Sequence, residues 1–262
     1  MTAKLGGDGV KDGKEILTIM DFSGVYEEER FYNKEWIRWI DCRGLEGTFG
    51  YCDPQAAKWL TRALETLSPR GLHFIDSGNF HYVTYFWIQK IARPFDLVVM
   101  DHHSDTKPPA FGNLLSCGSW VLEALEEDRQ LKHVYLIGVD PAYKGMIPAK
   151  YKARITCRTR EKKDRGPMVF GSRPVYVSID KDVIRENIVE TDWDQGDMTF
   201  RELKNTIRWI MASCEVIGMD ICGENCMGPV TEASIRDNDW INGELLNLVK
   251  RLDGPNSSYK AS

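Results

Sequence analysis

Short apolar runs recur along the chain, and most of them end on a carboxylate. Ile16 to Met20 closes on Asp21, Trp36 to Ile40 on Asp41, Leu72 to Ile75 on Asp76, Leu97 to Met100 on Asp101, and Val175 to Ile179 on Asp180. His133 to Val139 and Glu215 to Ile221 are apolar and β-branched in the same way, so these runs read as buried strands. Between them, apolar positions return at helical spacing. Ala57, Leu60, Leu64 and Leu67 follow the cap Asp53-Pro54 and precede Ser68-Pro69; Val83 to Ile91 and Ser119 to Asp128 continue the theme. Leu203, Ile207 and Ile210 follow the capping box Thr199-Phe200-Arg201-Glu202, and Leu245, Leu246, Val249 and Leu252 mark a last helix. Continuously apolar strands alternating with helices predict a mostly parallel sheet covered on both faces, with ligands bound at the carboxyl ends of its strands.

Composition narrows the function. At 262 residues, 42% hydrophobic and 28% charged, the chain suits one domain over 1–262, with the ends 1–13 and 254–262 expected to be disordered. A net charge of -5 provides no basic footprint for nucleic acid, and no apolar run approaches the roughly 18–20 residues that cross a bilayer. Seven scattered cysteines fit reduced thiols in a cytoplasmic protein, with Cys222 and Cys226 as small buried hydrophobes. Lys144 to Arg165, with nine basic residues, reads as a solvated connector containing one short strand near Ile155.

Unusual polar groups gather where three strands end. His81 follows the turn Asp76-Ser77-Gly78-Asn79-Phe80, Asp101-His102-His103-Ser104-Asp105 follows Val98-Val99-Met100, and Asp180-Lys181-Asp182 follows Val177-Ser178-Ile179. A buried strand seldom empties into such groups without a partner to neutralise them. In an extended chain Asp180 and Asp182 face one side about 6.6 Å apart, which suits two ions roughly 3.5–4 Å apart. Asp101 and Asp105 would stand about 13 Å apart in a continued strand, so the chain has to curl after Met100 for both to reach one centre. Four aspartates with neutral His81 and His103 total about four negative charges, which two divalent cations balance and one does not. Oxygen and imidazole ligation without thiolate favours two Mn2+, with Ni2+, Zn2+ or Fe2+ behind.

The motifs Gly78-Asn79-Phe80-His81, Asp101-His102-His103-Ser104-Asp105 and Ser178-Ile179-Asp180-Lys181-Asp182 resemble, in order and spacing, those of the arginase or ureohydrolase family. Val139-Asp140-Pro141, Met198-Thr199-Phe200-Arg201-Glu202 and Gly218-Met219-Asp220-Ile221 are similar to family landmarks, so the resemblance spans most of the chain. It implies a three-layer α/β/α fold of about eight mostly parallel strands, of arginase/deacetylase type, and a homo-oligomer. It implies one ion on His81, Asp101, Asp105 and Asp180 and another on Asp101, His103, Asp180 and Asp182, with His102 and Ser104 pointing away. The implied reaction is attack of a hydroxide held between the ions on the C–N bond of a guanidino or amidine substrate, with release of urea or a related amide. Asp105 would carry the proton to the departing amine. A carboxylate facing the metals should anchor the guanidinium by paired hydrogen bonds. Glu224 is the candidate for that anchor, with Asn113 and Asp140 as further substrate contacts.

Some family features are displaced. The anchoring glutamate belongs in a Gly-x-Asp-x-x-Glu pattern, whereas Gly218-Met219-Asp220-Ile221-Cys222-Gly223-Glu224 delivers Glu224 one residue late, a slip that Gly223 can absorb. Cys117-Gly118 stands where a His-Gly is expected, putting a thiol in place of a proton shuttle. The acidic loop Thr191 to Asp197 reads as a solvated turn, with reception of a cationic substrate as the sharper alternative. Free arginine, agmatine, another guanidino compound or an arginine within a peptide all remain compatible. A one-zinc amide deacetylase would not need all six ligands, and a non-catalytic metal-binding protein on the same fold is the third reading.

Overall fold

The structure is a computed structural model and describes residues 17–109, 112–161, 168–228 and 230–253. The ends 1–13 and 254–262, Ile16, the side chain of Leu252 and residues 162–165 of the basic connector lie outside the described residues. In chain order the elements are β1 (Leu17–Asp21), β2 (Ile37–Asp41), β3 (Tyr51–Cys52), α1 (Pro54–Leu64), β4 (Gly71–Phe74), α2 (Val83–Ile88), β5 (Phe95–Met100) and β6 (Leu115–Ser116). There follow α3 (Trp120–Glu127), β7 (Leu131–Val139), α4 (Pro141–Gly145), β8 (Ile155–Thr159), β9 (Val175–Asp180), α5 (Phe200–Ser213), β10 (Val216–Cys222) and α6 (Glu232–Asp253).

Eight strands form one parallel sheet in the order β2-β1-β4-β10-β9-β5-β7-β8. Helices cover both faces, giving the three-layer α/β/α architecture expected. On one side Leu60 and Leu64 of α1, Val83 and Trp87 of α2, and Trp120 and Val121 of α3 join Leu97, Val99 and Tyr176 of the sheet. On the other, Leu203, Ile207 and Ile210 of α5 and Ile241 and Leu245 of α6 pack on Val98, Met100, Val177 and Ile179. The capping box of α5 forms as its sequence predicts, with the Thr199 hydroxyl accepting from the Glu202 amide.

Three details differ from the sequence expectation. α1 ends at Leu64, because the Glu65 amide bonds to the Arg62 carbonyl in a tightened last turn ahead of Pro69. The strand near Ile155 is an edge of the main sheet, paired with β7. A two-stranded antiparallel ribbon of β3 and β6, too short to carry a periodic signal, ties Tyr51 to Ser116.

Strand alternation places the site. β9 turns Tyr176, Ser178 and Asp180 to the α1–α3 side and Val175, Val177 and Ile179 to the α5–α6 side. The register sets Asp220 beside both His73 and Ser178, and, one row nearer the carboxyl ends, Cys222 beside Asp180. Asp101, the residue after Met100, extends that row, since Met100 pairs with Ile179.

Candidate metal centre

The chain does curl after β5. Asp105 takes a left-handed backbone at φ 48, a conformation that costs a non-glycine residue about 1–2 kcal/mol, and its carbonyl accepts from the Val121 amide at the start of α3. This turn brings Asp101 and Asp105 to one point. Asp180 and Asp182, by contrast, do not meet through strand alternation. β9 stops at Asp180, Lys181–Val183 is a single 3-10 turn, and the Asp182 amide donates to Asp180 Oδ1 at 3.0 Å.

Three groups of donor atoms result among the described residues, and two of them include Asp101. In the first, His81 Nδ1 lies 3.3 Å from Asp101, 3.2 Å from Asp105 and 3.5 Å from Asp180. In the second, His103 Nδ1 lies 2.9 Å from Asp182 and 3.4 Å from Asp101. Within each of the sets His81-Asp101-Asp105 and Asp101-His103-Asp182 the donor atoms lie within 4.8 Å of one another, a spread that one ion with ligand bonds of about 2.0–2.2 Å can bridge after modest contraction. Asp180 approaches His81 rather than His103 in this arrangement and forms a further set with His81 and Cys222.

Both imidazoles are oriented from behind. His81 Nε2 lies 2.8 Å from Ser178 Oγ, and the Ser178 hydroxyl donates to Asp220. Ser178 Oγ therefore accepts from His81 Nε2–H, and the lone pair of neutral His81 sits on Nδ1, facing the carboxylates. His103 Nε2 donates to Asp194 Oδ1 at 3.0 Å, which fixes the same tautomer. Such carboxylate- or hydroxyl-backed histidines are the usual outer shell of a metal site. Ser178, Asp220 and Asp194 were not singled out as site residues from the sequence. Ser178 shares a strand face with Asp180, which was a usable signal; Asp194 lies in an acidic loop, where any of several carboxylates would have looked alike.

That loop is solvated over Trp193, Asp194 and Asp197, as a surface turn is, but it is also tied to the site. The Asp192 carboxylate accepts from the Ser77 hydroxyl at 2.6 Å and from the Cys226 and Met227 amides at 2.9 Å. Asp194 additionally accepts from Tyr143 OH at 3.0 Å and lies 3.4 Å from His102 Nε2. His102 thus leans on the loop instead of joining the donor sets, and the Ser104 hydroxyl meets Thr106 at 2.9 Å. Both lie aside from the centre, as expected.

The electrostatics call for cations. Burial alone would lower the pKa of His81 and His103, but Cys222, Asp101 and Asp105 around His81 and Asp101 and Asp182 around His103 hold each well above the ordinary imidazole value. Burial followed by the charge of Asp101 raises Asp105 to about 6, and the same causes push Asp180 and Asp182 up. In the absence of metal the cluster thus holds on to protons, and divalent cations would supply that positive charge instead. The donor chemistry, the tautomers and the charge all fit a metal pair.

Arginase family features match residues 8–226. The chain belongs to the Arginase family. An uncharacterized protein of Thermotoga maritima is 32% identical over 235 residues, covering 89% of each chain. Among solved structures, the fold resembles formimidoylglutamase from Bacillus subtilis (TM-score 0.64, 14% identity, 94% of this chain and 90% of the other). It also resembles proclavaminate amidino hydrolase from Streptomyces clavuligerus (TM-score 0.63, 16% identity, 94% and 95%).

Against that family pattern, Glu224 is in a different place from the one expected. Gly223 turns the chain at φ 96, and a Cβ there would sit 2.5 Å from Asp180 Oδ1, so no glutamate fits at 223. The turn sends Glu224 away from solvent into a fully buried ion pair with Lys181, where it also accepts from Asn242 at 2.8 Å. Glu29 lies alongside, its carboxyl pushed up by burial and by the Glu224 charge. Glu224 is therefore corrected from a substrate anchor to a buried counter-ion. Glu224→Gln is expected to cost about 3 kcal/mol by leaving the buried Lys181 charge with the neutral acceptors Asn238 and Asn242 in place of its paired carboxylate, lowering the melting temperature by about 10 °C. Unchanged melting with a raised KM would return Glu224 to the substrate.

Asp140 caps α4, accepting from the Ala142 amide at 2.8 Å, so one oxygen of this expected substrate contact is spent on the helix. Asn113 is exposed, in a left-handed turn at φ 65. Cys117 lies close enough for the Asp105 charge, after burial, to help push its thiol up to about 12.

Proposed function

We propose that this Arginase-family hydrolase cleaves the C–N bond of a guanidino or amidino compound at a centre of two divalent cations. The observation that carries this reading is the pair of donor sets joined at Asp101, with both imidazoles presenting Nδ1 to them. When bound, the cations supply electrophilic charge and lower the pKa of a coordinated water toward neutrality. Asp105 belongs to the first set through Oδ2, which faces His81 and is held by the Trp120 indole N–H at 2.6 Å, so its other oxygen is the one to take a proton and deliver it to the leaving amine. Ser178 and Asp194 keep the imidazoles in the ligating tautomer. Trp193, 5.8 Å from the His103 ring and exposed, supplies an aromatic face for a planar cation, whereas the Tyr143 ring already carries the Lys107 ammonium at 5.0 Å.

Seven free cysteines support a cytoplasmic setting, and no helix among the described residues is long and apolar enough to cross a membrane. The substrate is a small guanidino compound or an arginine within a peptide, and the chain works as a homo-oligomer without nucleic acid. Exposed Trp240 offers an apolar contact for such an assembly.

The test is metal stoichiometry followed by a screen of guanidino, amidino and acylated amine compounds on the loaded protein. Two cations per chain with urea or a related amide released are expected. Fewer than one cation per chain overturns the dinuclear reading. Two cations with no product from any compound favour the non-catalytic alternative, which the occupied Glu224 supports; acid release from an acylated amine favours a deacetylase.

A further inference from the structure

Three neighbouring parallel strands deliver side chains in one row on one face of the sheet: Cys222 from β10, Asp180 from β9 and Asp101 just beyond β5. Adjacent positions in such a row stand about 4.8 Å apart, the reach over which one ion gathers ligands. Cys222 is fully buried, its Sγ lies 3.3 Å from Asp180 Oδ2, and its sulfur belongs with His81 and Asp180 to a donor set spanning no more than 4.8 Å. The sheet thus presents a sulfur in the same position as two carboxylates that the dinuclear reading already uses.

We infer that Cys222 is a thiolate ligand of the site formed by His81, Asp101, Asp105 and Asp180, and that this site prefers a thiophilic divalent cation to manganese. The inference rests on the dinuclear reading proposed above. Metal binding displaces the thiol proton to solvent and forms one metal–sulfur bond. A soft donor shifts a site from Mn2+ toward Zn2+, Co2+, Ni2+ or Fe2+, all of which bind nitrogen and sulfur more tightly than manganese does. Manganese suits an oxygen and imidazole set, and a buried sulfur changes that set. A cysteine in an apolar strand looks like any small hydrophobe until the register puts it beside Asp180.

The test is Co2+ titration of the full chain, read by absorption, together with competition between Zn2+ and Mn2+. Wild type is expected to show a sulfur-to-cobalt charge-transfer band in the near ultraviolet. Cys222→Ser keeps a donor toward Asp180 but should lose the band, and its Zn2+ over Mn2+ preference should fall by tenfold or more. Cys117→Ser should keep the band. Wild type that binds two Co2+ without the band overturns this inference and leaves the dinuclear reading intact; a band that survives in Cys222→Ser, or vanishes in Cys117→Ser, overturns it as well. Failure to bind Co2+ at all overturns both. Because wild type carries the primary readout, a variant that fails to fold does not rescue the idea.

Discussion

Asp101→Asn is expected to take the chain from two bound divalent cations to fewer than one, with affinity for the remaining ion reduced by more than about 100-fold, beyond the 10–100-fold usual for an outer-shell change. Asp101 is the one carboxylate common to the sets of His81 and His103. Oδ2 faces His81 Nδ1 at 3.3 Å, while Oδ1 accepts from the His103 amide at 2.6 Å and lies 3.4 Å from His103 Nδ1. An asparagine can present only one oxygen, so its amide nitrogen must point at one of the two imidazole lone pairs. It also removes one of the charges that draw cations in. The metal-free fold should survive with its stability little changed, because the loss of the ion pairs to His81 and His103 is offset by relief of repulsion on Asp105, Asp180 and Asp182, each of which Asp101 pushes up. Metal analysis after dialysis, with a thermal melt of the metal-free protein beside it, checks both halves. Asp182→Asn is the contrast, since Asp182 serves the His103 set alone, and one ion should remain. Two ions retained in Asp101→Asn would remove Asp101 from its shared position.

What could be read ahead of the structure follows from how local each signal is. His81, Asp101, His103, Asp105, Asp180 and Asp182 each follow an apolar run within a few residues, so strand ends and candidate ligands were found together. The charge sum then asked for two cations without any geometry. Lys181 and Glu224 show the opposite case. Their pairing spans 43 residues and depends on Gly223 turning at φ 96, which a glycine permits but does not announce. A glycine at 223 can in principle absorb the one-residue slip and return Glu224 to the site, whereas the close approach to Asp180 sends it the other way. Cys222 and Asp194 were hidden for another reason. Their residue types are commonplace in a buried strand and a polar loop, and only sheet register and loop folding bring them to Asp180 and His103.

The other large effect belongs to Asp105. Asp105→Asn should lower kcat by about 10²–10⁴-fold, the range for loss of a general acid–base, while KM changes little and metal content falls less than in Asp101→Asn. Its Oδ2 is held by the Trp120 indole N–H and faces His81 Nδ1 at 3.2 Å. Asparagine can keep an oxygen in that position and so preserve much of the ligation, but it cannot exchange a proton. Burial and the neighbouring Asp101 charge raise the metal-free carboxyl to about 6, so Asp105 is the member of the cluster that gives up and regains a proton as cations bind and leave. Steady-state kinetics on preparations matched for bound metal separate the two roles. A kcat within about threefold of wild type at equal metal content would remove proton transfer from Asp105 and leave it a ligand only. A loss that disappears when metal content is restored would point the same way. A loss that persists at full metal content keeps the proton on this carboxylate, where the left-handed turn after β5 has set it.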